Sequence, residues 1–330
     1  MQDLMKEKAL GLLKGKAVNR VLGWKKGELA YDAEPSFFSE PETLGEMVYN
    51  AFCGSNLSKY LVGVNKEAGK TLVFLKPCDT YGLNQLLSEH RVEREKVHVV
   101  GIPCRGKLDL DKLRDKGVKG ILGVKDDGKE LTIESLYDLP GEFKREEVLL
   151  DKCLACKGSE HKISDELLGE SQTVNKSDVD RFEEVSKLEV LSSEEKFEYW
   201  RGVLSSCIRC NACRNACPSC SCLKCVFDDA HSGVSAKANT TDFEENLFHI
   251  IRAYHVAGRC SDCGECSRVC PQRIPLHLLN RKVIKDLNSL YGEFQAGLSS
   301  SEDEGNLSPL MRFDLNDVEP NIITKGGKGK

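Results

Sequence analysis

The chain has 330 residues, of which 40% are hydrophobic and 30% charged, and its net charge is −5 at pH 7. This composition is that of a globular protein of one large domain or two, and the acidic balance argues against a nucleic-acid-binding protein, which would present a basic face. No apolar run approaches the ~18 residues of a membrane span. The chain has 16 cysteines, and residues 1–26 mix charged and apolar residues, so we expect no secretion signal. We therefore expect metal ligands rather than disulfides, in a cytoplasmic protein suited to anaerobic chemistry.

The N-terminal half predicts an α/β domain with parallel strands. Two short apolar runs, Thr71–Leu75 and Val97–Gly101, are typical of buried parallel strands, and a helix over Thr80–His90 separates them. Together they form a βαβ unit, in which the helix is the crossover between the two strands. The segments before this unit predict a helix over 2–13, a strand over 18–24, a loop to residue 40, and short helices over 43–52 and 57–62.

Four cysteines of this domain predict a site of their own. Cys78 and Cys104 each follow a proline at the carboxyl end of one of the two strands, the edge at which open α/β sheets bind ligands. Two buried core cysteines are an equally good interpretation of this pair. Cys153 and Cys156 form a CxxC motif, which alone indicates zinc, a redox dithiol or half of a cluster site. The four together provide the ligands for one further [4Fe–4S] cluster, with Cys53 as a fifth candidate.

A β-hairpin precedes the CxxC motif, and a polar segment follows it. Residues 120–124 and 130–133 predict the hairpin around an Asp-Gly turn at 126–128. Residues 158–195 are polar and acidic, which predicts a linker with one helix around 179–188. The predicted organisation is an α/β domain at 1–157, the linker at 158–195, a cysteine-rich domain at 196–292 and a flexible tail at 293–330.

Two cysteine runs dominate the C-terminal half. Each has the spacing C-x2-C-x2-C-x3-C-P, which holds [4Fe–4S] clusters, and in two-cluster proteins the fourth cysteine of each run ligates the other cluster. Zinc sites instead use four ligands in two pairs. We therefore assign cluster one to Cys207, Cys210, Cys213 and Cys270, and cluster two to Cys260, Cys263, Cys266 and Cys217. Three more cysteines follow the first run, and either further metal binding or simple packing fits them: Cys220, Cys222 and Cys225.

Helices are predicted on both sides of the runs. An amphipathic segment over Lys196–Ser205 leads into the first run, and residues 275–290 predict a helix after the second. A capping box of Thr241 and Glu244 predicts the start of a helix between the runs. The apolar residues of that helix recur at helical spacing at Phe243, Leu247, Ile250, Ile251 and Tyr254. This pattern favours an all-helical, ferredoxin-like domain that holds two clusters.

The cysteine motifs resemble those of one family. Besides the two runs, the stretches that carry the resemblance are Lys76-Pro77-Cys78-Asp79, Gly101–Gly106 and Lys152–Cys156. The chain is similar over residues 45–290 to the beta subunits of deazaflavin-coenzyme-reducing hydrogenase and formate dehydrogenase, in particular to the dicluster forms that accompany heterodisulfide-reductase-like complexes. The resemblance implies a cluster and often FAD in the α/β domain, joined to a two-cluster module. It places the third cluster near Cys78, Cys104, Cys153 and Cys156.

Two functions of different kinds follow. In the first, the clusters relay electrons between the catalytic subunit of a formate dehydrogenase or hydrogenase and a flavin-bearing or heterodisulfide-reductase-like partner, and activity is expected only in the complex. In the second, FAD lets the chain itself reduce a soluble hydride carrier, the deazaflavin coenzyme or NAD(P). FAD rests on the resemblance alone. A zinc-bound scaffold is disfavoured by the ligand count.

Overall fold

The structure is a computed structural model that describes residues 1–126, 130–137, 141–157, 160–169, 179–232 and 242–299. The strands in these ranges are β1 (Arg20–Lys26), β2 (Ala33–Phe38), β3 (Thr71–Leu75), β4 (Val97–Gly101), β5 (Ile121–Asp126), β6 (Glu130–Ser135), β7 (Gly141–Lys144) and β8 (Glu166–Leu167). The α-helices are α1 (Gln2–Lys14), α2 (Pro77–Ser88), α3 (Leu110–Asp115), α4 (Arg145–Val148), α5 (Asp151–Leu154), α6 (Glu183–Glu189), α7 (Ser193–Leu204), α8 (Ala212–Asn215), α9 (Asp242–His255), α10 (Glu265–Arg268) and α11 (Leu276–Tyr291). Short 3-10 helices lie at Pro41–Glu46, Leu57–Leu61, Val64–Lys66, Arg94–Lys96, Val226–Asp228 and Ala230–Ser232.

A five-stranded sheet organises the N-terminal region, in the order β2-β1-β3-β4-β8. The prediction of parallel strands is confirmed for β1, β3, β4 and β8, but β2 pairs antiparallel with β1, so the sheet is mixed. The sequence analysis predicted a loop where β2 lies. This strand forms the edge of the sheet, carries Pro35 and buries only Phe38. An edge strand tolerates proline and needs no apolar run, so local sequence gave no strand signal.

The predicted βαβ unit is confirmed at β3, α2 and β4. All five residues of β3 are buried, and β3 runs parallel to β4 from the Thr71–Val97 pair to the Leu75–Gly101 pair. The helix begins earlier than predicted, at Pro77 rather than Thr80. Proline suits the first turn of a helix because its missing N–H would have no intrahelical partner there. Cys78 consequently lies in the first turn of α2, directly after a buried strand.

The predicted helix over 43–52 is wrong beyond its first residues. A 3-10 helix ends at Glu46, and Met47 is extended and forms an isolated β-bridge with Lys25. The N–H of Val48 then donates to the carbonyl of Trp24 over 2.8 Å. Hydrogen bonds to β1 therefore replace the local helical ones, an example of tertiary contacts overriding helix propensity.

A second sheet confirms the predicted hairpin. Strands β5, β6 and β7 form an antiparallel sheet in that order, and the sequence analysis missed β7. Residues 127–128 of the predicted Asp-Gly turn lie outside the described residues. Farther along, α6 confirms the helix that was predicted around 179–188 within the linker. Strand β8 lies in the same range without having been predicted, and it pairs with β4 at the edge of the first sheet.

The described residues from 179 to 299 contain helices and no strand. The helices predicted before, between and after the cysteine runs correspond to α7, α9 and α11, although Thr241 of the predicted capping box lies outside the described residues. The predicted apolar face of α9 is largely exposed, at Phe243, Ile250 and Tyr254. The buried face instead carries Glu245, Phe248, His249 and Arg252. Within the described ranges, no helix has the length and apolar character to cross a membrane.

Candidate metal centres

The two cysteine loops share one backbone conformation. In each, the second and fourth residues after the first cysteine are left-handed: Arg209 and Asn211 with φ of 49° and 62°, and Asp262 and Gly264 with φ of 52° and 65°. Such residues make the chain curl tightly and direct backbone N–H groups into the concave side. A four-residue helix follows in both loops and carries the third cysteine. The repeated spacing therefore folds into a repeated pocket.

Hydrogen bonds already reach two of the predicted ligand sulfurs. The N–H of Arg209 donates to Cys207 Sγ over 3.3 Å, and Nδ2 of the buried Asn280 lies 3.6 Å from Cys266 Sγ. Donors of this kind favour the charged, ligating form of a thiolate and tune the potential of an iron–sulfur cluster.

Several thiols of the two runs lie close enough to interact electrostatically. Cys213 interacts electrostatically with the other three cysteines assigned to cluster one: Cys207, Cys210 and Cys270. Cys217 of the first run interacts instead with the cysteines of the second run: Cys260, Cys263 and Cys266. The fold thus brings the fourth cysteine of each run to the other run, while iron ligation itself stays a prediction.

Among the described residues, no three Cys, His or acidic side chains converge closely enough to bind a single metal ion.

Burial keeps several of these thiols protonated without metal. It raises the pKa of Cys207 and Cys266 to about 11 and that of Cys263 to about 12. Ligation requires thiolates, so cluster assembly would release these protons.

Each loop is tied to a long helix by a buried ion pair. Arg209 Nε donates to Glu245 Oε2 of α9 over 2.9 Å, and both side chains are at most 2% exposed. Arg281 Nε of α11 donates to Asp262 Oδ1 over 2.9 Å in the second loop.

The four cysteines predicted for a third cluster line one cavity of about 40 Å³: Cys78, Cys104, Cys153 and Cys156. They come from the first turn of α2, from the segment after β4, and from α5 and the residues that follow it. Cys263 of the second run also lines the cavity. Three segments thus bring four thiols to one space, and no disulfide joins cysteines in the described part of the chain. A third cluster at this cavity stays a prediction.

Buried polar contacts hold this cavity in place. Lys76 Nζ donates to Asp79 Oδ2 and to the carbonyl of Ser55, each over 2.7 Å, which fixes the turn around Cys78. The N–H of Lys107 donates to Cys153 Sγ over 3.4 Å.

The cysteines whose roles the sequence left open lie elsewhere. Cys53 is fully buried in the core of the first sheet and does not line the cavity. The thiol of Cys220 hydrogen-bonds to Cys217, which lowers the pKa of Cys217 to about 6. Cys220, Cys222 and Cys225 line a separate cavity of about 360 Å³ together with Lys59, Arg214 and Arg259.

A larger cavity, of about 1090 Å³, opens at the carboxyl edge of the parallel strands. The segments Val48–Phe52 and Pro103–Lys107 line it, with Lys26 and Arg105 among the basic groups. Gly106 lines both this cavity and the cysteine-lined one, so the two spaces adjoin. Gly106 has φ of 93°, a conformation that glycine adopts without strain.

Sequence reasoning missed two buried cations next to the cysteines. Arg252 lies on the buried face of α9, and Lys157 Nζ lies over the ring of Tyr81 at 4.2 Å and lines the cysteine cavity. The signal for Arg252 was its spacing from Glu245 and Phe248, which puts all three on one face of the helix.

Comparisons with known proteins agree with the cysteine geometry. Residues 203–274 match the family described as 4Fe-4S dicluster domain. The F420-dependent formate dehydrogenase subunit beta of Methanocaldococcus jannaschii is 24% identical over 340 aligned residues, which cover 84% of this chain and 88% of that protein. The chain is similar to these beta subunits over most of its length. The resemblance inferred from the motifs is therefore confirmed.

The comparisons found two further similar proteins. The F420-dependent formate dehydrogenase 1 subunit beta of Methanococcus maripaludis is 24% identical over 335 residues, which cover 82% of this chain and 85% of that protein. A chain of the F420-reducing [NiFe] hydrogenase complex from Methanosarcina barkeri aligns with 46% of this chain at 12% identity and a TM-score of 0.38. The alignment covers 58% of that chain, less than two thirds.

Proposed function

We propose that this chain is the iron–sulfur electron-transfer subunit of an oxidoreductase complex. It relays electrons between the catalytic subunit of a formate dehydrogenase or hydrogenase and a flavin-bearing or heterodisulfide-reductase-like partner. The observation that carries the proposal is that a cysteine of the second run, Cys263, also lines the cavity of the third cysteine set.

The first junction of the relay lies between the cysteine cavity and cluster two. Cys263 belongs to the predicted ligands of cluster two and also lines the cavity of the third set. A cluster bound in that cavity would have a ligand of cluster two in its wall. The ion pair between the buried Lys152 and Glu265 supports the same junction, because Lys152 precedes Cys153 and Glu265 precedes Cys266.

The second junction lies between clusters two and one. Cys266 of the cluster-two set interacts electrostatically with Cys213 of the cluster-one set. Cluster one in turn lies near the surface, since Cys210 is exposed and Ile208 between the first two cysteines is 55% exposed. The order of the relay is therefore cavity site, cluster two, cluster one and a surface where a partner subunit can dock.

In this role the cysteines bind the clusters, which supply one-electron redox chemistry, and the protein fixes their positions. Hydrogen bonds such as that from Arg209 to Cys207 Sγ adjust the potentials. The relay requires no general acid or base. The names of the relatives support a formate dehydrogenase as the complex in question.

The test is to purify the tagged chain from its native host without oxygen and to identify the subunits that accompany it. We expect the catalytic subunit of a formate dehydrogenase or hydrogenase, and reduction of the clusters on addition of formate or H₂. In the complex with Cys263→Ser, the catalytic subunit should still reduce a viologen dye, while transfer to the natural acceptor is lost. Cys222→Ser is the matched control and should transfer normally. Isolation without any redox subunit, or normal transfer in Cys263→Ser, contradicts the proposal.

The large cavity supports a second candidate function, in which FAD bound by this chain reduces a soluble hydride carrier, the deazaflavin coenzyme or NAD(P). Its volume of about 1090 Å³ exceeds what drug-sized ligands need. Its position beside the cysteine cavity, with Gly106 in the shared wall, would put the flavin next to the first cluster of the relay. Lys26 and Arg105 would balance the charge of the pyrophosphate. FAD would supply the conversion between hydride and single electrons.

Flavin content tests this candidate. We expect one flavin per chain in the wild type and reduced occupancy in Lys26→Gln, with iron per chain unchanged. Lys25→Gln is the matched control, because Lys25 does not line the cavity and pairs with Glu46 over 2.6 Å. Absence of flavin from the intact complex leaves the relay as the function.

A further inference from the structure

Arg252 is a buried cation without a counter-charge in the described structure. Its side chain is 2% exposed, and Nε, Nη1 and Nη2 have no hydrogen-bond partner among the described residues. The other buried arginines around the loops are paired, Arg209 with Glu245 and Arg281 with Asp262. Burying an unpaired charge is strongly unfavourable. The position therefore requires an anion that the side chains of the described residues do not provide.

Thiols of both predicted clusters act electrostatically on this guanidinium. It interacts electrostatically with Cys213, which belongs to cluster one, and with Cys217 and Cys266, which belong to cluster two. Cys220, whose thiol donates to Cys217, is the fourth thiol around it. Arg252 thus lies where the two sets of ligands meet.

We propose that Arg252 is the shared counter-charge of clusters one and two and raises both reduction potentials. A cubane held by four thiolates is an anion, and reduction adds a further negative charge. A fixed positive charge beside it therefore stabilises the reduced form more than the oxidised form. This inference rests on the proposed function, because it requires that both clusters are bound.

Arg252 also reaches the cavity lined by Cys220, Cys222 and Cys225. The two other arginines of that cavity have carboxylate partners: Arg214 pairs with Asp228 over 2.8 Å, and Arg259 pairs with Glu89. An anion held in this cavity is the competing explanation for the unpaired guanidinium. The two explanations differ in what the loss of Arg252 does to the cluster potentials.

The experiment compares four full-length proteins prepared without oxygen: wild type, Arg252→Gln, Arg252→Lys and Arg201→Gln. Arg201 is the matched control because it lies on α7 with its side chain 49% exposed, where solvent screens its charge.

Iron and sulfide per chain report cluster binding, and a redox titration followed by electron paramagnetic resonance reports the potentials. In Arg252→Gln, we expect the ratio of reduced to oxidised cluster at a fixed potential to fall about tenfold for both clusters, equivalent to ~59 mV for one electron. Arg252→Lys keeps the charge and should stay near the wild type, as should Arg201→Gln.

Unchanged potentials in an iron-replete Arg252→Gln would overturn the inference and favour an anion in the neighbouring cavity. If Arg252→Gln loses iron, the result for Arg252→Lys tests the charge role. Clusters that are retained in Arg252→Lys at near wild-type potentials support that role. Loss of iron from Arg252→Lys as well overturns it. A wild-type chain without iron would instead refute the proposed function, so the two failures are distinguishable.

Discussion

Arg209 and Asp262 occupy the same position in the two cysteine loops, yet their buried ion pairs have opposite polarity. Arg209 donates to Glu245 of α9 over 2.9 Å, whereas Asp262 accepts from Arg281 of α11 over 2.9 Å. Both residues have left-handed backbones. Each loop is therefore fixed independently to its own helix. If the two pairs exchanged partners, Arg209 would meet Arg281 and Asp262 would meet Glu245, which are like charges.

This arrangement predicts selective loss of clusters. Glu245→Leu leaves Arg209 charged and buried without its carboxylate, and breaking a buried pair in this way costs about 3–5 kcal/mol. We expect cluster one to be lost while cluster two stays. Asp262→Leu should do the reverse. Iron analysis and electron paramagnetic resonance of the two proteins check this, and loss of the same cluster from both would show that the loops are not fixed independently.

The exchange of the fourth cysteine between the runs predicts a crossed phenotype. Cys217 lies in the first run but beside the thiols of the second, so Cys217→Ser should remove the signal of cluster two. Cys270→Ser should remove that of cluster one. The reference spectra come from Cys210→Ser, which affects cluster one, and from Cys263→Ser, which affects cluster two. If Cys217→Ser matches Cys210→Ser instead, each run binds its own cluster.

The cysteine-lined cavity predicts a third cluster that can be removed alone. Cys153→Ser should lower the iron content by about four atoms per chain, the content of one cubane, and leave the resonance signals of clusters one and two in place. Cys53→Ser is the control, because Cys53 is a buried cysteine of the same region but lies outside the cavity wall. Equal iron content in both variants would argue against a cluster in the cavity.

Iron removal should destabilise the two regions unequally. Among the described residues, the hydrophobic core of the helical region has seven buried members, two of which are the predicted ligands Cys213 and Cys266. The core around the first sheet has 25. A core this small depends on its metal. After chelation, amide hydrogen exchange should accelerate in α9 and α11 while β3 and β4 remain protected. Equal acceleration in both regions would contradict this expectation.

The parts of the fold that could be predicted are those with a local signal. Strand β3 could be predicted because all of its residues, 71–75, are buried and the sequence there is one continuous run without charged residues. The cysteine runs could be predicted because their spacing is typical of [4Fe–4S] ligands. Strand β2 could not be predicted because an edge strand with one buried residue is determined by its partner β1.

The face of α9 shows why periodicity alone was insufficient. The period of the helix was right, but Phe243 and Tyr254 are exposed while Glu245, His249 and Arg252 are buried. Glu245 is buried there because it pairs with Arg209 of the first cysteine loop, while Phe248 on the same face belongs to the hydrophobic core. A prediction from periodicity alone expects polar residues to face solvent. The buried polar face of α9 could be predicted only if the positions of the cysteine loops were already known.

Iron, acid-labile sulfide and flavin per chain, measured on anaerobically prepared protein, test the central claim of three adjoining cluster sites most directly. The account predicts about twelve irons and as many sulfides, since each cubane contains four of each. About eight irons would leave only the two clusters of the cysteine runs, and the relay through the α/β domain would be wrong. One flavin per chain in addition would favour direct reduction of a hydride carrier by this subunit.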